Sequence, residues 1–202
     1  MSNNKKEQLR KMIDRECLTV GSDFELSTGR SSGFYFDMKR VMLDGKGLML
    51  IADFILEEIE KLPVTPEAIG GLTMGADFIV AGVILRANQT GRKTTQGSIV
   101  RKEPKKHGTQ NKIEHELSRG TKIVVVDDVV TSGTSTIKAC DEFMTAGYEI
   151  VAVLTVVDRG AGGLERLRNK YGHAKALFSV TDFPRVVEYL DRHGQSQAQM
   201  PG

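Results

Sequence analysis

The sequence lacks tryptophan, has only two cysteines and five prolines among 202 residues, and has no run of 18 apolar residues. Cys17 and Cys140 are far apart and match no metal-ligand spacing, so we expect two reduced thiols in the core. Without a long apolar run or a signal-peptide core, the chain is expected to be a soluble cytoplasmic protein with no membrane partner. A net charge of +2 gives no indication of a nucleic-acid partner.

The composition is that of one globular domain. Hydrophobic residues make up 40% of the chain and charged residues 27%, enough apolar material for a full core. We expect an N-terminal helix and hood segment over 1–43, a core over 44–193 containing a lid loop at 101–117, and a frayed tail over 194–202.

Strands and helices alternate along most of the core, which predicts an α/β fold with a mostly parallel sheet flanked by helices. Strands are predicted at 67–72, 97–101, 122–126, 149–157 and 175–180; helices are predicted at 3–16, 44–62, about 77–88, 134–146, 161–170 and from 182, with a hairpin within 24–42. Ligands of such sheets lie beyond the carboxyl ends of the strands, where 72–77, 127–135 and 158–160 begin.

Residues 122–135 are the most informative segment. The apolar run Ile123–Val126 predicts a strand buried on both faces. The small residues that follow allow backbone amides to converge on an anion at the start of the next helix, and Gly133 can take a positive φ. Four hydroxyls can add hydrogen bonds and cap that helix: Thr131, Ser132, Thr134 and Ser135. The segment therefore predicts a phosphate-binding loop.

Two adjacent carboxylates, Asp127 and Asp128, precede this loop. They would repel a phosphate, whereas the vicinal hydroxyls of a ribose are good partners, because an ionised carboxylate only accepts hydrogen bonds. The pair can also stabilise positive charge at the anomeric carbon. A phosphorylated sugar is the ligand that this combination favours. The alternative is a buried strand whose polar end merely caps a helix. Walker and dinucleotide-binding glycine motifs are absent.

The second constellation is a polar loop with five cations against the single Glu103: Arg101, Lys102, Lys105, Lys106 and Lys112. Such a loop can close over a departing pyrophosphate and exclude water; the alternative is a solvated charge run. His107 can donate a hydrogen bond or a proton to a phosphate. A diphosphate substrate would bring Mg²⁺, for which the sequence shows no dedicated metal site.

These motifs resemble a known family. Residues 124–135 look like the phosphoribosyl pyrophosphate (PRPP) motif of type I phosphoribosyltransferases, and residues 100–109 resemble the catalytic loop of orotate phosphoribosyltransferases. Residues 26–37, 71–76 and 156–159 also match, so the similarity extends from about residue 18 to about 183. The resemblance implies the type I phosphoribosyltransferase fold and the transfer of phosphoribose from PRPP to orotate, which yields orotidine 5′-monophosphate and pyrophosphate.

The resemblance also implies roles for individual residues. Lys105, His107, Asp127 and Asp128 would be catalytic. The substrate-binding set would comprise Phe34, Tyr35, Thr73, Met74, Gly75, Ala76, Arg101, Lys102, Lys105, His107, Asp127, Asp128, Val129, Val130, Thr131, Ser132, Gly133, Thr134, Ser135 and Arg159. Within it, Arg159 is suited to pair with the carboxylate of orotate. The family's lid crosses a dimer interface, so a homodimer is implied.

One position departs from the family's pattern, because Ser27 stands where many members have lysine. Transfer to another base such as a purine therefore remains open. Two alternatives of other classes are a non-catalytic PRPP sensor and an RNA-binding module that uses the basic loop.

Overall fold

The structure is a computed structural model that describes residues 3–25, 31–93, 96–103 and 112–193. Its core is a six-stranded sheet in the order β5 (Ile113–Glu114), β4 (Gln96–Val100), β3 (Ala68–Leu72), β6 (Lys122–Val130), β7 (Glu149–Asp158) and β8 (Ala174–Ser179). All neighbouring strands are parallel except β5, which pairs antiparallel with β4. The predicted mostly parallel sheet is confirmed.

The elements follow the chain in a regular alternation. The strands are β1 (Leu18–Glu25), β2 (Ser31–Phe36), β3 (Ala68–Leu72), β4 (Gln96–Val100), β5 (Ile113–Glu114), β6 (Lys122–Val130), β7 (Glu149–Asp158) and β8 (Ala174–Ser179). The helices are α1 (Asn3–Met12), α2 (Lys39–Met42), α3 (Gly45–Glu60), α4 (Asp77–Gln89), α5 (Thr134–Thr145), α6 (Gly163–Tyr171) and α7 (Pro184–Arg192), with a π-helical segment at Ile13–Cys17 and a 3₁₀ turn at Val180–Asp182.

Helices cover both faces of the sheet. The side chains of β6 show this, since successive residues of a strand point to opposite faces. Val124 and Val126 join the core cluster that contains α3 and α4, whereas Ile123 and Val125 join the cluster that contains α5. All four side chains are at most 1% exposed. The continuous apolar run is thus explained by helices on both faces, as expected.

The course of the chain creates a crevice at the carboxyl end of the sheet. From β3 the chain moves to β4 on one side, and it then returns to β6 on the other side of β3. The helices that follow β3 and β6 pack on opposite faces, so the loops in front of them diverge. Ligands of open α/β sheets bind at such a switch point.

A two-stranded antiparallel hairpin, β1 and β2, forms the hood beside this crevice. Phe34 and Phe36 point into the core, where the Phe36 ring packs edge-on against Phe183 at 5.1 Å between centroids. A hydrogen bond of 2.6 Å joins Arg159, which follows β7, to Ser32 of the hood. The hood is therefore fixed to the sheet by both apolar and polar contacts.

Several predicted boundaries are wrong. The strand expected at 122–126 continues to Val130, because β7 goes on pairing with it through Asp158. Strand β5 lies inside the segment expected to be loop, and the hairpin begins at Leu18 instead of within 24–42. The first α-helix ends at Met12, before the π-helical segment. Cys17 and Cys140 are buried free thiols, as expected. None of the described helices is long and apolar enough to cross a membrane.

Candidate active site

Asp127 and Asp128 lie in the second half of β6, and their carboxylates meet beside the loop that follows β3. A Cβ atom built on Gly75 would lie 2.7 Å from Asp128 Oδ1 and 2.9 Å from Asp127 Oδ1. Only a residue without a side chain lets this loop approach the acid pair so closely. The two predicted segments, 73–76 and 127–135, are thus brought together.

The acid pair is held by specific hydrogen bonds. Asp127 accepts from Thr136 Oγ1 at 2.6 Å and from the Asp128 amide at 3.1 Å. Asp128 accepts from the Val129 amide at 2.8 Å. Asp127 is 7% exposed. Burial, reinforced by the charge of Asp128, raises the pKa of Asp127 to about 7, and burial also raises the pKa of Asp128. The two carboxyl groups therefore lose their protons less readily than free carboxyl groups until a ligand or a cation stabilises the charged form.

Residues 131–136 present a row of free backbone amides at the start of α5. In the described part of the chain, no hydrogen bond engages these amides, and the first intrahelical bond is from the Ile137 amide to the Gly133 carbonyl at 2.8 Å. Unpaired amides at a helix N-terminus, together with the positive end of the helix dipole, form an anion-binding site. This geometry agrees with the phosphate-binding loop predicted from the sequence.

The predicted capping of α5 by hydroxyls is wrong. The N-cap is Gly133, whose φ of 75° lies in the left-handed region, and no side chain caps the helix. Ser132 and Thr134 instead share a hydrogen bond of 3.0 Å between their hydroxyls. Because no side chain occupies the amides, they remain available to a ligand. Val129 and Val130 complete the strand before this loop, and the carbonyl of Val130 accepts from the Arg159 amide at 3.0 Å. Ser135 is an exposed residue of the first turn of α5.

The loop after β3 consists of Thr73, Met74, Gly75 and Ala76, and its first peptide bond, between Thr73 and Met74, is cis. The Thr73 hydroxyl donates to Asp77 Oδ1 at 2.9 Å, which ties the loop to the start of α4. Among the described residues, no partner accepts from the amides of Met74 and Gly75. The loop therefore offers further backbone donors next to the acid pair.

Arg159 is a buried cation, 5% exposed, at the carboxyl end of β7. Its Nη2 donates to Ser32 Oγ at 2.6 Å and to the Phe34 carbonyl at 3.1 Å, while its Nε has no partner among the described residues. Burial lowers the pKa of this guanidinium to about 10. No carboxylate of the described chain forms an ion pair with it. A buried, unneutralised arginine with a free N–H group is suited to an anionic ligand.

The two aromatic residues predicted to border the base lie on opposite sides of β2. The Phe34 ring is 3% exposed and lies 4.7 Å under the Arg159 guanidinium, so it supports that side chain. Tyr35 is 38% exposed and packs against Phe24 at 5.8 Å between ring centroids. Contact of either ring with a base stays a prediction.

The ends of the predicted lid are anchored. Arg101 forms an ion pair with Glu114 at 2.7 Å, and its amide donates to the Lys112 carbonyl at 2.7 Å. The carbonyl of Lys102 accepts from Lys138 Nζ at 3.1 Å. Lys105 and His107, predicted to be catalytic, lie outside the described residues. Arg101 is therefore held at the base of the lid, paired across β4 and β5.

Sequence reasoning missed two polar residues of the site. Thr136, 2% exposed, bonds directly to Asp127, and its only signal in the sequence is a hydroxyl in the first turn of α5. Burial raises the pKa of Asp128, and the charge of Lys39, at the start of α2, opposes that shift. No local pattern marks Lys39, because only the fold brings the hood next to β6.

Comparisons with known proteins agree with this geometry. Residues 43–192 match the family described as the phosphoribosyl transferase domain. An orotate phosphoribosyltransferase of Rhodopirellula baltica is 37% identical over 85% of this chain and 90% of its own length. That of Synechocystis is 41% identical over 81% of each chain. A crystal structure of the Mycobacterium tuberculosis orotate phosphoribosyltransferase has a TM-score of 0.75 and 28% identity, covering 88% of this chain and 98% of its own.

One assignment follows from these similarities together with the sheet order, the acid pair beside Gly75 and the free amides in front of α5. The chain belongs to the orotate phosphoribosyltransferase family, within the enzymes that contain a phosphoribosyl transferase domain.

Proposed function

We propose that the protein transfers the phosphoribosyl group of PRPP to orotate, giving orotidine 5′-monophosphate and pyrophosphate in pyrimidine biosynthesis. The observation that carries the choice of an anionic base is the buried Arg159, which has an unpartnered Nε and, within the described chain, no carboxylate partner. The other parts of the site account for the phosphoribosyl donor.

The 5′-phosphate of PRPP would occupy the start of α5. Six consecutive residues, 131–136, have amides free of intramolecular hydrogen bonds in the described chain. A phosphate there gains several N–H donors and the helix dipole at once, without a lysine in the loop. The exposed hydroxyls of Thr134 and Ser135 are close at hand for additional hydrogen bonds.

The ribose would lie over the acid pair. Asp127 and Asp128 accept hydrogen bonds from its vicinal hydroxyls and stabilise the positive charge that develops at the anomeric carbon as the bond to pyrophosphate breaks. Thr136 holds Asp127 in place by its hydrogen bond of 2.6 Å. Displacement at this carbon requires no protein nucleophile, which is consistent with the buried and unreactive state of both cysteines.

The departing pyrophosphate would be met by the free amides of Met74 and Gly75 and by the cations of the lid. Arg101 and Lys102 begin that lid, and Lys105 and His107 are proposed to close it. Glu114, which now pairs with Arg101, would have to release it if Arg101 is to reach the diphosphate. The charge pattern suits the reaction: carboxylates beside the ribose and cations beside the leaving group.

The residues of this site are suited to bind Mg²⁺ together with the diphosphate of PRPP. Asp128 and Asp127 are the side chains that would hold it together with substrate oxygens, and it would neutralise charge on PRPP and its leaving group. No cluster of three or more metal-binding side chains occurs among the described residues.

We further propose that the protein acts in the cytoplasm as a homodimer whose lid is shared across the interface. Large exposed apolar side chains are available for such an interface: Leu43, between α2 and α3, is 67% exposed, Met49 of α3 is 41% exposed and Leu85 of α4 is 61% exposed. Sedimentation equilibrium would give twice the 22.2 kDa chain mass if the dimer forms.

A substrate panel tests the proposed reaction. The purified protein, PRPP and Mg²⁺ are incubated in turn with orotate, uracil, adenine and hypoxanthine, and pyrophosphate release is followed. Of the four bases, only orotate should support rapid turnover. Pyrophosphate release with a purine and none with orotate would make the protein a purine enzyme. If none of the four bases supports pyrophosphate release, the non-catalytic PRPP sensor is favoured.

The variant Arg159→Met tests the role of the buried arginine. Uracil is orotate without its carboxylate, so the ratio of kcat/KM for the two bases measures recognition of that group. The ratio should fall by about 100-fold or more in Arg159→Met, because a charge-assisted pair in a buried site is lost. An unchanged ratio would contradict the role of Arg159.

A further inference from the structure

Ser32 is a buried serine of the hood, 6% exposed, whose hydroxyl bonds to both Arg159 and Phe34. Its oxygen accepts from Arg159 Nη2 at 2.6 Å and, at 3.4 Å, from the Phe34 amide. Its proton is donated to the Phe34 carbonyl at 3.0 Å. A hydroxyl has one proton and two lone pairs, so these contacts use all of them. The hydroxyl therefore has one fixed orientation, with a lone pair directed at Arg159.

The contacts of Arg159 with the hood all come from the short stretch 32–34. A guanidinium has no acceptor, so Arg159 can only donate to Ser32. Its bond of 3.1 Å to the Phe34 carbonyl uses the same nitrogen, Nη2. The guanidinium lies over the Phe34 ring, 4.7 Å from its centroid. Ser32 and Phe34 thus hold Nη2 and the plane of the guanidinium, while Nε has no partner among the described residues.

The backbone of this stretch is held by contacts that do not involve the Ser32 hydroxyl. Both Ser32 and Phe34 pair with residues of β1 across the hairpin. A Cβ atom added to Gly33 would overlap the hydroxyl end of Tyr189, so α7 packs directly on the backbone between them. The Phe34 ring is 3% exposed in the core. Loss of the hydroxyl should therefore leave the strand in place and affect mainly the side chain that it contacts.

That side chain is the buried cation of the site. Without the hydroxyl, Nη2 of Arg159 would keep only its longer bond to a carbonyl, and the guanidinium could turn to satisfy the freed N–H group. A charge-assisted pair between a guanidinium and a carboxylate depends on direction, and small misplacements of a binding group are costly. We propose that Ser32 is a positioning residue that, through Arg159, sets the affinity of the site for the carboxylate of the base. This inference rests on the proposed function.

A double-mutant cycle of Ser32→Ala and Arg159→Met tests this role. Ser32→Ala should lower kcat/KM for orotate about ten-fold, mostly through KM, because Arg159 loses its shortest hydrogen bond. KM for PRPP should change by less than about two-fold. In the Arg159→Met background, measured at raised enzyme concentration, Ser32→Ala should change kcat/KM by less than about two-fold, because the residue through which Ser32 acts is gone.

Tyr189→Phe is the matched control. It also removes one hydroxyl from the packing of this stretch, on Gly33, but in the described chain that hydroxyl is not one of the partners of Arg159. KM for orotate should therefore stay within about two-fold of the wild-type value. A rise in KM equal to that of Ser32→Ala would show a general sensitivity of the hood and would overturn the inference.

The other outcomes separate this inference from the proposed function. If the wild-type protein shows no turnover with orotate, the proposed function fails. If the wild type turns over orotate and Ser32→Ala matches it, the role of Ser32 is overturned while the function stands. An equal loss in both backgrounds, or an equal rise in KM for orotate and for PRPP, would make Ser32 a structural residue of the hood, and either result also overturns the inference.

Discussion

Replacing Asp128 by asparagine should stabilise the protein at pH 8 while abolishing most of its activity. The two carboxylates flank the same point beside Gly75, and Asp127 is 7% exposed. A neighbouring charge shifts a carboxyl pKa by about 1–3 units where the charge is opposite, and we take the same size for a like charge; each unit corresponds to about 1.4 kcal/mol. Because Asp128 is partly exposed and both acids accept hydrogen bonds, we take the lower end, a gain of about 1.5 kcal/mol.

The gain depends on pH in a defined direction. The pKa of Asp127 is raised in the folded protein, so the wild type loses stability as pH rises from about 4, the unfolded value, toward the folded value of about 7, and no more is lost above it. Asp128→Asn removes one source of this loss. Its melting temperature should exceed that of the wild type by about 3–6 °C at pH 8 and should equal it near pH 4.

Calorimetric melting at both pH values, combined with orotate turnover, checks this prediction. Turnover should fall about 100-fold or more, since a charge that stabilises the transition state is lost. The Oδ1 of asparagine can still accept from the Val129 amide, so the strand should stay intact. A melting temperature lowered equally at both pH values would refute the reasoning and make Asp128 a structural residue.

Two further variants test neighbouring contacts. Gly75→Ala places a methyl group 2.7 Å from Asp128 Oδ1, so turnover should fall at least ten-fold with little change in melting temperature; Gly45→Ala, with no atom within 4 Å of the added Cβ, is the control and should be fully active. Thr136→Val removes the hydroxyl that stabilises ionised Asp127, which should raise its pKa further and move the acid limb of the kcat/KM profile about one unit to higher pH. Thr145→Val, which loses only a bond to the Asp141 carbonyl, should leave the profile unchanged.

The sequence predicted those parts of the site that are contiguous in the chain. The acid pair, the small-residue loop and the start of the following helix are consecutive in the chain, and the sheet order brings the loop after β3 to them, as the alternation of strands and helices implied. Their common position follows from a general property of parallel sheets.

The features of the fold and of the site that the sequence did not predict depend on contacts between residues that are distant in the chain. Arg159 reaches Ser32 across 127 positions of the chain, which no local pattern encodes. The two aspartates favour an end of the strand at Val126, because aspartate is disfavoured in strands, whereas pairing with β7 continues β6 to Val130. Strand β5 is only two residues long and exists because β4 lies beside it, so its periodicity is undetectable.

A crystal structure with PRPP bound tests the central claim most directly. We predict that the 5′-phosphate accepts hydrogen bonds from the amides of residues 131–135 and that the ribose hydroxyls donate to Asp127 and Asp128. A bound PRPP whose phosphate lies elsewhere, or whose ribose does not touch either aspartate, would contradict the account.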